Sequence, residues 1–201
     1  MKILAIETSS ATSSIAVAEN GQIMDVRRFV APRGRGAEIF TLLEEMRPAW
    51  SGMERMAIGV GPGSYNGLRT ACTLAGSFQM TLGIEIVTSP SCCLLDVEES
   101  DYIALGDARG GRIWVASIRS RRLQGEMSLL TCAEAGDFVR NASLTAYAVG
   151  TVQGFEHLPP ATPDAAVLAN LAPALPTADP AKIEPLYLKP PHITAPREAR
   201  P

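Results

Sequence analysis

The sequence predicts an α/β protein of two lobes, in which an abridged second lobe repeats the topology of the first. Three observations lead to this prediction: an opening run of three strand patterns, an alternation of helix and strand patterns after it, and a partial restart of the same order in the second half. We therefore expect a first lobe at 1–98, a second lobe at 99–190 and a disordered tail at 191–201.

The opening residues predict an antiparallel meander of three strands. Lys2–Glu7 is almost continuously apolar, which is typical of a central strand covered on both faces. Ser14–Glu19 alternates apolar and polar residues, as a strand does when one face is buried. Asn20-Gly21 is a typical tight-turn pair, and Ile23–Val30 then predicts the third strand.

Two helices and two strands are predicted after the meander. Ala37–Arg47 places its apolar residues on one stripe and is expected to end at Pro48. A strand at 56–60 precedes the second helix, Leu68–Leu82, and a strand at 85–88 follows it. The second helix is small and apolar almost all round, so we predict that it is sandwiched in the core or docked to a partner.

The second half of the chain repeats this order in reduced form. After a short helix at 90–97, strands are predicted at 102–106, 112–119, 127–130 and 145–149, with helices at 134–140 and 164–171. Three antiparallel strands followed by alternating helices and strands is the ribonuclease-H-like order. Two such copies in one chain form the architecture of actin and sugar kinases.

Composition excludes several kinds of site. The formal net charge of −3 argues against binding nucleic acid through net charge alone. None of the few lysines follows a glycine loop, which excludes a Walker-type nucleotide site, and the 2 histidines lack zinc-ligand spacing. No apolar run approaches the ~18 residues of a membrane span. The N-terminus does not read as a secretory signal, so we expect a cytoplasmic protein without a membrane partner.

Two acidic hairpin turns are candidate phosphate sites: the first turn, residues 7–10, and the second turn, residues 107–111. Backbone N–H groups of such turns can hold phosphates, and an acidic residue can hold a metal or its waters. The candidate contacts are Glu7, Thr8, Ser9, Asp107 and Gly110. The alternative is a pair of ordinary polar turns, which Arg109 and Arg112 beside the second turn favour.

A glycine loop, residues 61–67, joins a predicted strand to the second helix. A helix N-terminus can hold an anion, but Asn66 stands where the dinucleotide fingerprint requires its third glycine. A hydrolase nucleophile elbow, G-x-S-x-G, needs glycine two residues to either side of the serine, where Ser64 has Pro62 and Asn66. We interpret the loop as a structural turn whose Ser64 or Asn66 caps the helix. Its structural residues are Gly61, Gly63, Gly67 and Arg69.

Four segments together resemble the TsaB (YeaZ) family. They are ILAIETS at 3–9, GPGSYNGLR at 61–69, DAR at 107–109 and EPLYL at 184–188. The second segment is the most diagnostic, and the four together span nearly the whole chain. Members of this family are accessory subunits of the bacterial machinery that makes threonylcarbamoyladenosine in tRNA.

The resemblance implies an actin-like (ASKHA) fold without independent enzyme activity, metal or cofactor of its own. Family members pair with TsaD, a paralogue that carries the catalytic metal site, and with the ATPase TsaE. The resemblance thus implies indirect contact with tRNA, ATP at the level of the complex, and a homodimer when the subunit is isolated. TsaD holds its metal with an H-x-x-x-H pair, whereas RGAEI at 35–39 has no histidine.

The resemblance also implies that two helices of the first lobe dock to the TsaD-like partner. The residues expected at that face are Ile39, Phe40, Leu43, Leu68, Cys72, Ala75 and Phe78. Sequence does not decide which of them face the partner and which face the core. The alternative hypothesis is an actin-like ATPase or phosphotransferase that uses the cleft between Glu7 and Asp107. A glycoprotease is a weaker alternative, because the chain offers no clear metal or nucleophile constellation.

Overall fold

A computed structural model describes residues 1–30 and 38–188 of the 201-residue chain. The predicted disordered tail at 191–201, the loop at 33–36 and the start of the helix predicted from residue 37 lie outside these residues. Within the described part, no helix is long and apolar enough to cross a membrane.

The first lobe is built on a five-stranded sheet in the order β3-β2-β1-β4-β5. Its strands are β1 (Lys2–Glu7), β2 (Thr12–Glu19), β3 (Gln22–Val30), β4 (Arg55–Gly59) and β5 (Glu85–Ser89). The central strand β1 pairs antiparallel with β2 and parallel with β4. The predicted meander is confirmed, and β1 is apolar throughout because both of its faces are covered.

One face of this sheet packs against three helices, α1 (Glu38–Glu45), α2 (Arg47–Trp50) and α3 (Tyr65–Leu82). Leu4, Ile6 and Ile58 of the sheet form one core cluster with apolar residues of these helices. The first helix ends before Pro48, as expected, but at Glu45 and not at Arg47, and Pro48 lies in the first turn of α2. Proline is tolerated there because the N–H it lacks has no partner within a helix.

The other face of the first sheet packs against α5 (Ala165–Leu171). Small residues of the sheet such as Ala5 and Ala16 contact Leu168 in a second core cluster. The backbone N–H of Ala165 donates to the Ser14 hydroxyl at 2.8 Å, which fixes the helix on β2. A helix within the range expected for the second lobe, 99–190, therefore packs on the sheet of the first.

The second lobe is built on a smaller sheet in the order β11-β10-β6-β7-β8, with β9 also paired to β7. Its elements are β6 (Tyr102–Asp107), β7 (Ile113–Arg119), β8 (Arg122–Leu123), β9 (Ser128–Leu130), α4 (Cys132–Asn141), β10 (Ala146–Val149) and β11 (Pro160–Ala161). Like β1 in the first sheet, β6 is central and pairs with one antiparallel and one parallel neighbour. The repeated and abridged topology is confirmed, since β8 and β11 have two residues each.

The helix predicted at 90–97 is wrong, because the chain makes only a three-residue 3-10 turn at Ser91–Cys93. The reason lies in the next two residues, which are buried in different places. Leu94 packs with α5 and the first sheet, whereas Leu95 packs with the second sheet. Adjacent side chains cannot reach two separate cores from one continuous helical face.

Candidate functional site

The glycine loop carries the chain from the end of β4 into α3. The Ser64 hydroxyl is the N-cap of this helix and accepts a hydrogen bond from the backbone N–H of Gly67 at 3.3 Å. The sequence left Ser64 and Asn66 as alternatives, and the structure assigns the cap to Ser64. The helix therefore begins at Tyr65, earlier than the start predicted at Leu68.

The glycine loop lies directly on the first turn. The backbone N–H of Ser64 donates to the Ser9 carbonyl at 2.6 Å, and the Thr8 hydroxyl donates to the Gly67 carbonyl at 2.8 Å. A Cβ atom at Gly63 would lie 2.1 Å from the Ser9 carbonyl oxygen, and one at Gly67 would lie 2.1 Å from that of Thr8. Only glycine allows the two backbones to approach so closely, so Gly63 and Gly67 are what let the glycine loop cover the first turn.

The Glu7 side chain is fully buried beneath the glycine loop. Its Oε1 accepts from the backbone N–H of Ser9 at 2.6 Å and its Oε2 from the Ser91 hydroxyl at 2.8 Å. The Ser91 oxygen accepts in turn from the N–H of Gly61 at 3.0 Å. Burial raises the pKa of Glu7 above its ordinary value of 4.5, and the hydrogen bonds offset this only partly. Glu7 thus ties β1 to the glycine loop rather than facing a ligand.

The second turn is open by comparison. Asp107 is exposed, and its Oδ1 accepts a hydrogen bond from the backbone N–H of Arg109 at 2.7 Å. Arg109, Gly110 and Gly111 all have positive φ angles, of 60°, 64° and 71°. No atom lies within 4 Å of a Cβ built on either glycine, so their role is to permit the left-handed turn rather than a close approach.

A cleft of about 410 Å³ separates the two turns, and we call it the interlobe cleft. Of the five residues predicted as contacts, Ser9 and Asp107 line it, whereas Glu7, Thr8 and Gly110 do not. Its complete lining is Ser9, Pro62, Gly63, Ser64, Tyr65, Leu68, Asp107, Ala108, Arg109, Trp114, Leu186, Tyr187 and Leu188.

Three aromatic residues that were not predicted as site residues also line the interlobe cleft: Tyr65, Trp114 and Tyr187. The Tyr65 and Tyr187 rings lie 5.6 Å apart between centroids and are tilted by 32°. Arg69, predicted only as a structural residue, places its guanidinium 5.3 Å from the centre of the Tyr65 ring and donates to its hydroxyl at 2.9 Å. Tyr65 lies within the GPGSYNGLR segment and Tyr187 within the EPLYL segment, so their place in these segments was the feature of the sequence that could have identified them.

The helix residues expected at a partner interface fall into three groups. Ile39, Leu43, Leu68 and Ala75 are buried in the core of this chain. Cys72 and Phe78 are half-buried, and burial raises the pKa of the Cys72 thiol to about 11, so the thiol stays neutral. Phe40 is 55% exposed. Of the seven residues expected at the interface, only Phe40, Cys72 and Phe78 therefore have exposed side-chain surface that a partner could contact.

The prediction that α3 is apolar all round is corrected by the structure. Its apolar residues, Leu68, Ala71, Leu74 and Ala75, face the sheet and are buried there. Its exposed positions are polar apart from Tyr65, Met80 and Leu82; the others are Asn66, Arg69, Thr73, Ser77 and Thr81. The first sheet therefore covers the buried apolar residues of α3, whereas Tyr65, Met80 and Leu82 remain exposed.

Residues 1–30 and 38–188 contain no group of three or more His, Cys, Asp or Glu side chains that could hold a metal ion. The expected absence of a metal site remains a prediction for the whole chain.

Two sheets with the same strand order and an interlobe cleft define the actin-like ATPase fold. The chain is similar over 94% of its length to the crystal structure of an uncharacterized protein with similarity to peptidase YeaZ from Pseudomonas aeruginosa, with a TM-score of 0.73, 22% identity and 99% of that chain covered. It is similar over 93% of its length to YeaZ from Pseudomonas aeruginosa, with a TM-score of 0.69, 21% identity and 99% of that chain covered. No protein-family model and no curated protein matches the sequence. The fold that the resemblance implied is therefore confirmed.

Proposed function

We propose that the chain is a member of the TsaB (YeaZ) family and acts as a non-catalytic scaffold subunit in the synthesis of threonylcarbamoyladenosine in tRNA. In this role it docks through the first lobe to a TsaD-like catalytic paralogue, with a TsaE-like ATPase in the same cytoplasmic complex. Contact with tRNA and with ATP is made through the complex. The isolated subunit forms a homodimer through the same helices.

The observation that carries the proposal is the fold, which matches YeaZ over almost the full length of both chains. The four sequence segments that resemble the family agree with it. The GPGSYNGLR segment forms the glycine loop and the start of α3, and the EPLYL segment lines the interlobe cleft beside it. Two segments that are distant in sequence thus form one structural unit.

The geometry of the first turn supports a role without catalysis. An actin-like ATPase needs an acidic side chain and free backbone N–H groups at this turn to hold a phosphate and its metal. Here the N–H of Ser9 donates to the buried Glu7 carboxylate, and the glycine loop covers the turn. The alternative ATPase hypothesis therefore lacks a carboxylate at this turn that faces the interlobe cleft.

Phe40 on α1 is the sharpest probe of docking. Its side chain is more than half exposed, so replacement by Asp leaves the core of the chain intact. A charge in a desolvated interface costs about 2 kcal/mol or more, which corresponds to roughly a 30-fold loss of affinity. We expect Phe40→Asp to reduce co-purification with the TsaD-like protein of the same cell accordingly. Leu68→Asp is unsuitable for this test, because Leu68 is buried and its replacement would unfold the lobe.

Phe138→Asp is the matched control, because Phe138 is an exposed phenylalanine on α4 of the second lobe. This variant should bind the TsaD-like protein as the unmodified chain does. Equal binding by both variants would refute docking through α1. Loss of homodimer with Phe40→Asp, measured by sedimentation, would show in addition that the two assemblies share the same face.

A further inference from the structure

Two adjacent cysteines lie on the segment that joins the two sheets. Cys92 and Cys93 belong to the 3-10 turn Ser91–Cys93, which we call the junction turn because it follows β5 of the first sheet and precedes β6 of the second. Both thiols are free, and both residues are only 1% exposed. They pack in the core of the second lobe with Tyr102 and Trp114. The proposed scaffold role does not use these two nucleophilic groups.

The two thiols differ because of the groups around them. The Cys92 thiol donates a hydrogen bond to the Cys93 sulfur, and the backbone N–H of Leu123 and the positive charge of Arg121 add to its effect. Together they lower the pKa of the Cys93 thiol below its ordinary value of 9.0, although burial opposes this. The pKa of the Cys92 thiol is raised, because it is the donor in that hydrogen bond and is buried. Cys93 is therefore the thiol that ionises first, and Cys92 is the one that keeps its proton.

Adjacent cysteines can form a disulfide only if the backbone between them changes. Neighbouring Cα atoms are about 3.8 Å apart, whereas the Cα atoms of an ordinary disulfide are about 4.4 to 6.8 Å apart. The junction turn is held by the N–H of Cys93, which donates to the Pro90 carbonyl at 2.9 Å, and by that of Leu94, which donates to the Ser91 carbonyl at 3.1 Å. A disulfide would disturb these contacts, and strained disulfides are readily reduced, so the bond would be reversible.

A change in the junction turn reaches the first lobe through Ser91. The Ser91 hydroxyl donates to Oε2 of Glu7 at 2.8 Å and accepts from the N–H of Gly61 at 3.0 Å. The backbone N–H of Ser91 also donates to the Gly61 carbonyl at 2.6 Å. Because Ser91 directly precedes Cys92, a bond between the two sulfur atoms would form one residue from the contacts that join β1 to the glycine loop.

We propose that Cys92 and Cys93 form a reversible modification site, at which hydrogen peroxide oxidises the two thiols to a disulfide. The Cys93 thiolate attacks a peroxide oxygen and becomes a sulfenic acid, while hydroxide leaves and takes up the proton that Cys93 released. The Cys92 sulfur then attacks the Cys93 sulfur, the S–O bond breaks, and hydroxide leaves with the Cys92 proton as a second water. Two electrons pass from the sulfur atoms to the peroxide, and a dithiol restores both thiols. This inference goes beyond the proposed scaffold role, which needs no oxidation.

The test uses the full chain carrying Cys72→Ser and Cys132→Ser, so that Cys92 and Cys93 are its only thiols. Because both are buried, peroxide reaches them through local opening of the chain, and the reaction is followed over hours. The chain is then unfolded, treated with N-ethylmaleimide and analysed by intact mass spectrometry. We expect a loss of two hydrogen atoms, no maleimide adduct, and recovery of both thiols with dithiothreitol. Two maleimide adducts, a lasting gain of oxygen or a disulfide between two chains would overturn the proposal.

Single variants of the pair assign the two steps. In Cys92→Ala the reaction should stop at a sulfenic acid on Cys93, which dimedone labels, because no second thiol is present. In Cys93→Ala dimedone should not label Cys92, because a buried thiol that keeps its proton is a poor nucleophile. Thermal denaturation checks that both variants are folded. Any other pattern of labelling overturns the order of attack.

Hydrogen exchange measures the effect of oxidation on the first lobe. Amides of Gly61 and Ser9 donate to Ser91 and Glu7, so they should exchange faster in the oxidised chain, roughly 5- to 10-fold for the loss of one hydrogen bond. Amides of β10, in the second sheet, are the control and should not change. Equal exchange of Gly61 and Ser9 in both redox states would refute the coupling. None of these measurements uses a partner, so their outcome is independent of the docking test.

Discussion

The two hairpin turns occupy corresponding places in the two lobes, yet one is covered and the other is open. Each follows the central strand of its sheet and begins with an acidic residue, Glu7 or Asp107. Glu7 is fully buried and accepts hydrogen bonds from Ser9 and from the distant Ser91. Asp107 is exposed, and its side chain accepts a hydrogen bond from the backbone N–H of Arg109 in its own turn. The burial of a turn residue is thus decided by what packs on the turn and not by the turn sequence.

The glycine loop is the element that makes this difference. It covers the first turn with two backbone contacts that only glycine permits, and the second lobe has no counterpart among the described residues. The contacts of the loop use the Ser9 carbonyl and the Thr8 hydroxyl, while the N–H of Ser9 donates to Glu7 and is not available to a phosphate. The glycine loop therefore joins the first turn closely to α3, the longest helix among the described residues.

The largest effect is expected when the contact between loop and turn is broken. Gly67→Ala places a Cβ 2.1 Å from the Thr8 carbonyl oxygen, so the loop and turn must separate. We expect a loss of about 3 kcal/mol in the free energy of unfolding, measured by urea denaturation. Gly76→Ala is the matched control in the same helix, where a Cβ meets no atom within 4 Å. It should stabilise the chain by up to about 1 kcal/mol, and an equal loss in both variants would refute the close packing.

A second prediction concerns the charge of Glu7. Because burial raises its pKa in the folded chain, the folded state keeps a proton that the unfolded state has lost once the pH exceeds 4.5. The stability contributed by Glu7 is therefore complete below pH 4.5 and falls by about 1.4 kcal/mol per pH unit as the pH rises towards the folded pKa.

Glu7→Gln cannot ionise and should remove this part of the pH dependence. We expect the stability difference between the variant and the unmodified chain to change in favour of the variant as the pH rises. Urea denaturation at a series of pH values measures it. A constant difference between the two proteins across the series would show that Glu7 is ionised in both states.

The smallest effect is expected at the open turn. Asp107→Ala removes an exposed hydrogen bond to the Arg109 N–H and should cost about 0.5 kcal/mol. Thr8→Ala removes the hydrogen bond from the buried turn to the Gly67 carbonyl and should cost about 1 to 2 kcal/mol. Thermal denaturation of the two variants compares them directly, and a larger loss for Asp107→Ala would reverse the order of burial inferred for the turns.

Local periodicity predicted most of the fold. The apolar run of Lys2–Glu7, the alternation of the next strand and the glycine at its turn are properties of neighbouring residues, so they are visible in sequence. The repeat of this strand order after residue 99 was predicted from the same local patterns. The helix predicted from periodicity at 90–97 is wrong, because neighbouring residues of this run are buried in two different cores and therefore cannot share one helical face.

The site was less predictable, because its contacts join residues that are far apart in the chain. The glycines of the loop signalled a sharp turn, but sequence did not show that they approach Thr8 and Ser9. Nor did it show that Tyr65 meets Tyr187, although both stand within motifs. The apolar residues of α3 could equally have faced a sheet or a partner, and only the topology decides between the two.

The position of α5 has a consequence for the order of synthesis. The face of the first sheet that carries Ala5 and Ala16 stays uncovered until residues 165–171 have left the ribosome, which is after the named strands of both sheets have been made. Chains emerge from the N-terminus, so the first lobe cannot complete its fold as an early independent unit. A nascent chain arrested after β11 but before α5 would expose this alanine-rich surface to chaperones, and the emergence of α5 would cover it.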